Sequence, residues 1–300
     1  MALKHGPFVG LVQFPHPGAE HNAQAHVGAI FPWNEGDHAR KFLQAPGRWR
    51  TEDGQQRTGP LRFWGEYEPP SRVQAIGPAD GQLPRWVHEP LYPPPSQGER
   101  QNTDPLVLGG FYYSNCKQHR RRGYPSPSVM QRLEPGTVVL FGSKREHVFV
   151  LDTVFVVAER LDYGREDLED LPAPEHVKDM ALRPLYGNPE RQLRFVLYRG
   201  ATLEEPLDGR WSYAPALPVE QPGDRFARPR VHLPEGIIKD TLSMGLRSVA
   251  MTAEQLRSTW ECVLETVYDA GLVAAVHLEV PGVSADLPAR VAGRGAGRAC

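Results

Sequence analysis

The chain has 300 residues, 40% of them hydrophobic and 23% charged, which argues against both a disordered polyelectrolyte and a membrane-embedded protein. Its 29 glycines and 30 prolines make up about a fifth of the sequence; proline breaks helix interiors and glycine weakens them, so a helix bundle or coiled coil is excluded and a loop-rich, strand-dominated fold is expected. Basic and acidic residues nearly cancel, 34 against 36 for a net charge of −2, so any binding of nucleic acid must rest on a local patch.

The first strand expected is Phe8–Phe14, ended by Pro15 and Pro17. This apolar run is too short and too interrupted for a signal peptide, and no stretch approaches 18 uninterrupted apolar residues. Cys116, Cys262 and Cys300 are too few and too scattered for a disulfide framework, which suits a reduced compartment, and the expectation is a soluble cytoplasmic protein. A polar, histidine-rich loop follows, from His16 to about Asn34. Gly36–Leu43 reads as a helical turn or a short strand before Pro46 and Gly47, and Leu61–Tyr67 as a strand stopped by Pro69 and Pro70. Residues 77–105, with seven prolines, read as an extended surface loop.

The clearest local signal is a hairpin. Thr137–Phe141 and Val148–Val157 are rich in valine and phenylalanine and flank the polar turn GSKREH. Residues 160–179 are acidic and read as a surface connection. A second hairpin is expected to pair Leu193–Tyr198 with Gly209–Ala214. Thr252 and Gln255 form a capping box sequence, after which Leu256, Trp260, Val263, Leu264, Val267 and Tyr268 share one helical face up to the stop at Gly271. A strand over Leu272–Val280 is expected next.

Four constellations are candidates for chemistry. The N-terminal loop carries His16, Glu20, His21, His26, Asp37 and His38. Imidazole and carboxylate are metal donors, so His16, His21 and His38 are candidate ligands of a divalent metal, although their spacing matches no HExxH pattern and a polar surface loop explains them too. On LRFWGEYEPPS, Trp64 beside Glu66 and Glu68 suits a stacking pocket with hydrogen-bond acceptors, or simply a half-buried sheet. In LGGFYYSNCKQHRRRGYPSPS, aromatics including Tyr113 interleave with Lys117, Arg120, Arg121 and Arg122, the best local nucleic-acid signal in the chain; the alternative is an edge strand with a solvated basic turn. Ser143 and Asp152 flank the hairpin turn, and an aspartate inside a Val/Phe run needs a partner, an open edge or a pocket.

The segment PGTVVLFGSKREHVFVLDTVFVV resembles the strand–turn–strand core of PUA-like domains of the EVE and ASCH kind. GGFYYSNCKQ is similar to the lead-in of some nucleotide-modification-associated domains, and LYRGATLEEPLDGRWSYAPALP is similar to the opening of another of that group. The resemblance covers about a third of the chain and implies a mixed β-barrel flanked by helices. It also implies recognition of nucleic acid or a modified base in a bacterial DNA-modification or defence setting, with pocket roles for Tyr113, Asn115, Lys117, Ser143 and Asp152.

The resulting expectation is an α+β protein with a mixed, strongly bent or barrel-like β-sheet, few helices and long Pro/Gly-rich loops. Residues 1–160 would form the PUA-like core, residues 190–282 would complete it or form a second lobe, and residues 283–300 would be a flexible tail. Binding of nucleic acid or a modified nucleotide is the leading function, with Trp64, Glu66, Tyr113, Asn115, Lys117, Arg120, Arg121, Ser143 and Asp152 as candidate ligand-binding residues and no cofactor required. The alternative is a metal-assisted hydrolase or transferase built on the N-terminal histidines. Convergence of His16, His21 and His38 would favour the enzyme, dispersal the binder.

Overall fold

Runs of β-branched and aromatic residues form strands because such side chains pack well on a pleated surface. In the computed structural model, which describes residues 6–76, 83–94, 100–120, 126–187, 192–220, 225–284 and 287, these strands make two large sheets. One contains β1 (Gly10–His16), β7 (Tyr112–Tyr113), β10 (Val138–Arg145), β11 (Val148–Tyr163), β12 (Phe195–Gly200) and β14 (Arg247–Ala250), in the order β14-β1-β10-β11-β12-β7. The other contains β2 (Ile30–Phe31), β3 (Lys41–Arg50), β4 (Gln56–Gly65), β5 (Ser71–Ala75), β6 (Trp86–Pro90), β13 (Ala214–Pro218) and β15 (Val273–Leu278), in the order β15-β13-β4-β3-β6-β5-β2. A small ribbon pairs β8 (His119–Arg120) with β9 (Ser126–Pro127).

The second sheet curls until β15 also pairs with β3, so β3, β4, β13 and β15 close a four-stranded barrel. Gly47 permits the closure, since a Cβ there would lie 2.4 Å from the His277 carbonyl oxygen. The fold is therefore α+β with a barrel-like sheet. No helix among the described residues is long and apolar enough to cross a membrane.

The β10–β11 hairpin is antiparallel and tighter than its sequence implies. Its strands run to Arg145 and Val148, and the turn is Glu146–His147, both at positive φ (45° and 71°). Alternation along β10 and β11 feeds two cores. Val139, Phe141 and Phe155 face one apolar cluster with Phe14, Phe63 and Tyr113. Val138, Leu140, Val154 and Val156 face another with Trp211, Tyr213 and Trp260. Both faces being covered explains why these strands read as continuous apolar runs. The helix Ala253–Asp269 covers the second cluster with Leu256, Trp260, Val263 and Val267. Its capping box is made at both bonds, 2.9 and 3.2 Å, and Gly271 follows at φ 73°.

Several expectations need correction. β1 continues through Pro15 to His16, because β14 covers that edge only as far as Gln13 and the missing N–H then costs no ladder bond on that side. β3 likewise passes through Pro46 and Gly47, which face Pro60 and Gly59 of β4. The proline-rich stretch 77–105 contains a strand, β6, held between β3 and β5. The second hairpin does not form, since β12 joins β11 in one sheet while β13 joins β4 and β15 in the other. β12 to β15 thus complete sheets begun by earlier strands and stand as no separate lobe. The tail 283–300 lies outside the described residues apart from residues 283, 284 and 287.

Candidate functional site

Polar residues at strand ends are drawn inward where the two sheets meet. β1 ends on His16, the segment leading into β3 brings His38 and Arg40, and the segment leaving β4 brings Glu66 and Glu68. β10 and β11 contribute Ser143 and Asp152. All of these are buried. Burying so many ionisable groups is unfavourable unless each is paired, and the pairing here is extensive.

Glu66 is the hub. Its Oε2 accepts from Arg40 Nη1 at 2.8 Å and lies 3.5 Å from His16 Nδ1. Its Oε1 is 3.1 Å from His38 Nδ1 and accepts from the Asp104 N–H at 3.3 Å. His38 Nδ1 is also 3.0 Å from Glu68 Oε1, while Asn34 Nδ2 donates to Glu68 Oε2. On the other side Arg40 Nε reaches Asp152 Oδ2 at 3.2 Å. Asp152 Oδ1 faces Arg228 Nη1 at 3.3 Å, and that nitrogen donates to Ser143 Oγ at 2.9 Å. A chain of contacts thus runs His38–Glu66–Arg40–Asp152–Arg228.

The electrostatics follow from burial and these partners. Burial alone would raise Glu66, but His38, His16 and Arg40 hold its carboxyl below the ordinary range. Burial likewise works against a charged Arg40, and Glu66 and Asp152 reverse the effect. Burial and the Arg40 charge keep His16 neutral, with its pKa well below the usual value. Neither of its ring nitrogens has a hydrogen-bond partner. Nearby, burial takes His21 down to about 4 and the Lys41 ammonium to about 8. Lys41 Nζ makes no hydrogen bond and sits 4.7 Å from the Phe31 ring centroid. Burial lifts Asp104 to about 7, although the N–H groups of Ser114, Asn115 and Cys116 all bond its carboxylate.

Two spaces adjoin this network. A cavity of about 10 Å³, the size of one water, is lined by His16, Arg40, Glu66, Phe141 and Asp152 among others. Beyond Arg228 an open cleft of about 470 Å³ is lined by Trp64, Arg145, Arg225, Phe226, Arg228 and Arg230, with Glu146 as its one carboxylate. Trp64 Nε1 donates to the Phe226 carbonyl at 3.0 Å, and the Arg228 guanidinium lies 5.0 Å from the Trp64 ring centroid. Planar guanidinium groups beside aromatic rings suit phosphate and base binding.

The residues expected to act together are therefore redistributed. Trp64 lines the cleft, and Glu66, Ser143 and Asp152 belong to the buried network. Tyr113 is a correction: it is fully buried, its ring stacked on Tyr198 at 5.7 Å and packed by Phe14 and Phe141, so no face is left for a base. Lys117 is a second correction. Its Nζ donates to the Pro15 and Gly245 carbonyls and lies 4.4 Å from the Phe14 ring centroid, which ties it to the protein and not to a phosphate. Asn115 is buried, with its N–H on Asp104. The side chain of Arg120 and the whole of Arg121 lie outside the described residues. Of the three histidines, His16 and His38 converge on Glu66. His21 does not join the donors within metal-ligand reach; its ring packs edge-on against Phe31 at 5.2 Å.

Sequence reasoning passed over Arg40, Asp104 and Arg228. Arg40 and Lys41 directly precede the apolar Phe42-Leu43, and Asp104 sits just before the apolar run at Leu106; charges embedded in such surroundings are a signal of buried pairing. Arg228, in a loop rich in arginine, carries no such signal. No protein-family model matches this chain, and no curated protein or solved structure matches it either.

Proposed function

We propose that the protein binds a phosphate-bearing ligand of the nucleotide class, either nucleic acid or a modified nucleotide, in the arginine cleft. The observation that carries this reading is the gathering of Arg145, Arg225, Arg228 and Arg230 around one opening beside Trp64 and Phe226. With a net charge of −2 over the whole chain, such a local excess of guanidinium groups provides the electrostatic attraction that the molecule as a whole lacks. Arg228 is tied down from behind by Asp152, Ser143 and the Gly18 carbonyl, at 2.7 Å for the last, so it braces the cleft wall, while the Arg230 side chain, 57% exposed, stands at the opening. The similarity to PUA-like domains agrees with a nucleotide ligand, and the reduced state of Cys116 and Cys262 agrees with a cytoplasmic setting.

The test is titration of labelled single- and double-stranded oligonucleotides, with and without base modification, and of free nucleotides, at two salt concentrations. The expected result is binding that weakens with salt. Replacing Arg145 and Arg230 together with alanine should weaken it by about tenfold or more, the loss of one or two charge-assisted hydrogen bonds, and flatten its salt dependence. Failure of the wild-type protein to bind any of these probes at low salt rejects the reading.

A further inference from the structure

We propose that His38, Glu66 and Glu68 form a binding site for a divalent transition-metal ion of the zinc or manganese type. The proposal is independent of the arginine cleft and of its ligand. His38 Nδ1 lies 3.1 Å from Glu66 Oε1 and 3.0 Å from Glu68 Oε1, and the three donor atoms lie within 4.8 Å of one another. Donors bound at about 2.0–2.2 Å to one ion are separated by about 3.0–3.5 Å in tetrahedral or octahedral geometry, so the three atoms need little movement to share one. A set of one imidazole and two carboxylates is borderline in softness and suits zinc, manganese or ferrous iron.

The surroundings support the assignment. Each carboxylate has its second oxygen occupied by a fixed donor, Arg40 Nη1 on Glu66 Oε2 at 2.8 Å and Asn34 Nδ2 on Glu68 Oε2. The Glu68 N–H bonds Thr103 Oγ1 at 3.1 Å. Such outer contacts orient ligating carboxylates and aim the remaining oxygens at one point, here occupied by His38 Nδ1. A separate observation lies on the far side of Glu66. His16 is 5% exposed, neither ring nitrogen makes a hydrogen bond, and Nδ1 points at Glu66 Oε2 from 3.5 Å. A buried imidazole with no hydrogen bond is costly, and a water bridging it to the Glu66 carboxylate gives this one a partner. The water-sized cavity between His16, Arg40 and Glu66 leaves room for that water. The competing account of the same geometry is a protonated His38 shared by two carboxylates. The two differ in one measurable respect, because the ion displaces the Nδ1 proton.

The experiment uses the full chain, prepared without metal-affinity resin. Its metal content is measured, and Zn²⁺, Mn²⁺ and Co²⁺ are then titrated into chelator-treated protein in the absence of nucleotide. The expected result is about one ion per chain, a higher melting temperature with the ion, and a ligand-field absorption band with Co²⁺. Asn34→Ala, which releases Glu68 without removing a ligand, should weaken the ion by about tenfold, and Glu68→Gln by more. Absence of stoichiometric binding of all three ions by the wild-type chain overturns the proposal. So does a folded Glu68→Gln variant that binds as tightly as the wild type. Because no nucleotide is present, neither outcome bears on the arginine cleft.

Discussion

Histidines set the pH response of this molecule residue by residue. Burial depresses His21 to about 4 and His88 to about 2, against an ordinary value of 6.5. His88 Nδ1 is 2.9 Å from Ser71 Oγ, and its Nε2 has no hydrogen bond. A depressed folded-state pKa means that the unfolded chain takes up protons first on acidification. These histidines therefore contribute stability above about pH 6.5 that is lost as the pH falls toward their folded values. Asp104 acts in the opposite sense. Raised from 3.8 to about 7, it contributes stability at low pH that is lost as the pH rises through about 7. Between pH 6.5 and 4 two histidines outweigh one aspartate, so the melting temperature should fall as the pH is lowered from 7 to 5. His88→Asn, which can still meet Ser71, should make that fall shallower. A melting temperature constant over this range would show that these imidazoles are not held neutral.

Elements show how far a local pattern survives its partners. The β10–β11 hairpin and the helix Ala253–Asp269 form where the sequence puts them, because each carries its own determinants: two neighbouring runs rich in valine and phenylalanine in one, a capping box and a terminal glycine in the other. Val154 lies at the centre of the hairpin, fully buried and opposite Leu140. Val154→Asp would place an unpaired carboxylate in that core at a cost of several kcal/mol, of the order of the whole stability of a domain. The variant should accumulate as insoluble protein, and unchanged solubility and melting temperature would contradict the strand assignment. The failed hairpin teaches the converse. Leu193–Tyr198 and Gly209–Ala214 each resemble a strand, but the intervening turn feeds two different sheets, and nothing within it specifies which partner each strand takes.

At the scale of the whole molecule, strands from distant parts of the chain are interleaved. β1 is bracketed by β10 and β14, and the barrel closes only when β15 meets β3. The buried network has the same character: its residues come from β1, the ends of β3 and β4, the β10–β11 hairpin and the loop carrying Arg228. A fragment of residues 1–160 would leave β3 and β4 without the strands that close the barrel, and the β10–β11 core without Trp211, Trp260 and Val263. That fragment should fail to show a cooperative unfolding transition, whereas residues 1–284 should retain one. Cooperative melting of residues 1–160 would instead establish an independent core.

Composition and local pattern determined the class of fold, the hairpin, the capped helix and the following strand, since proline, glycine, valine content and capping residues act within a few positions of where they stand. They also marked Trp64, Glu66, Ser143, Asp152 and the N-terminal histidines as chemically unusual. Tertiary structure alone decided their company. Tyr113 and Lys117 read as a stacking and phosphate-binding pair, yet packing against Tyr198 and Phe14 turned both inward. Arg228 stands 76 residues beyond Asp152, and Arg40 stands 26 before Glu66; no local rule joins them. Their pairing is set by strand order and barrel closure, which depend on burial summed over the whole chain and not on any one segment.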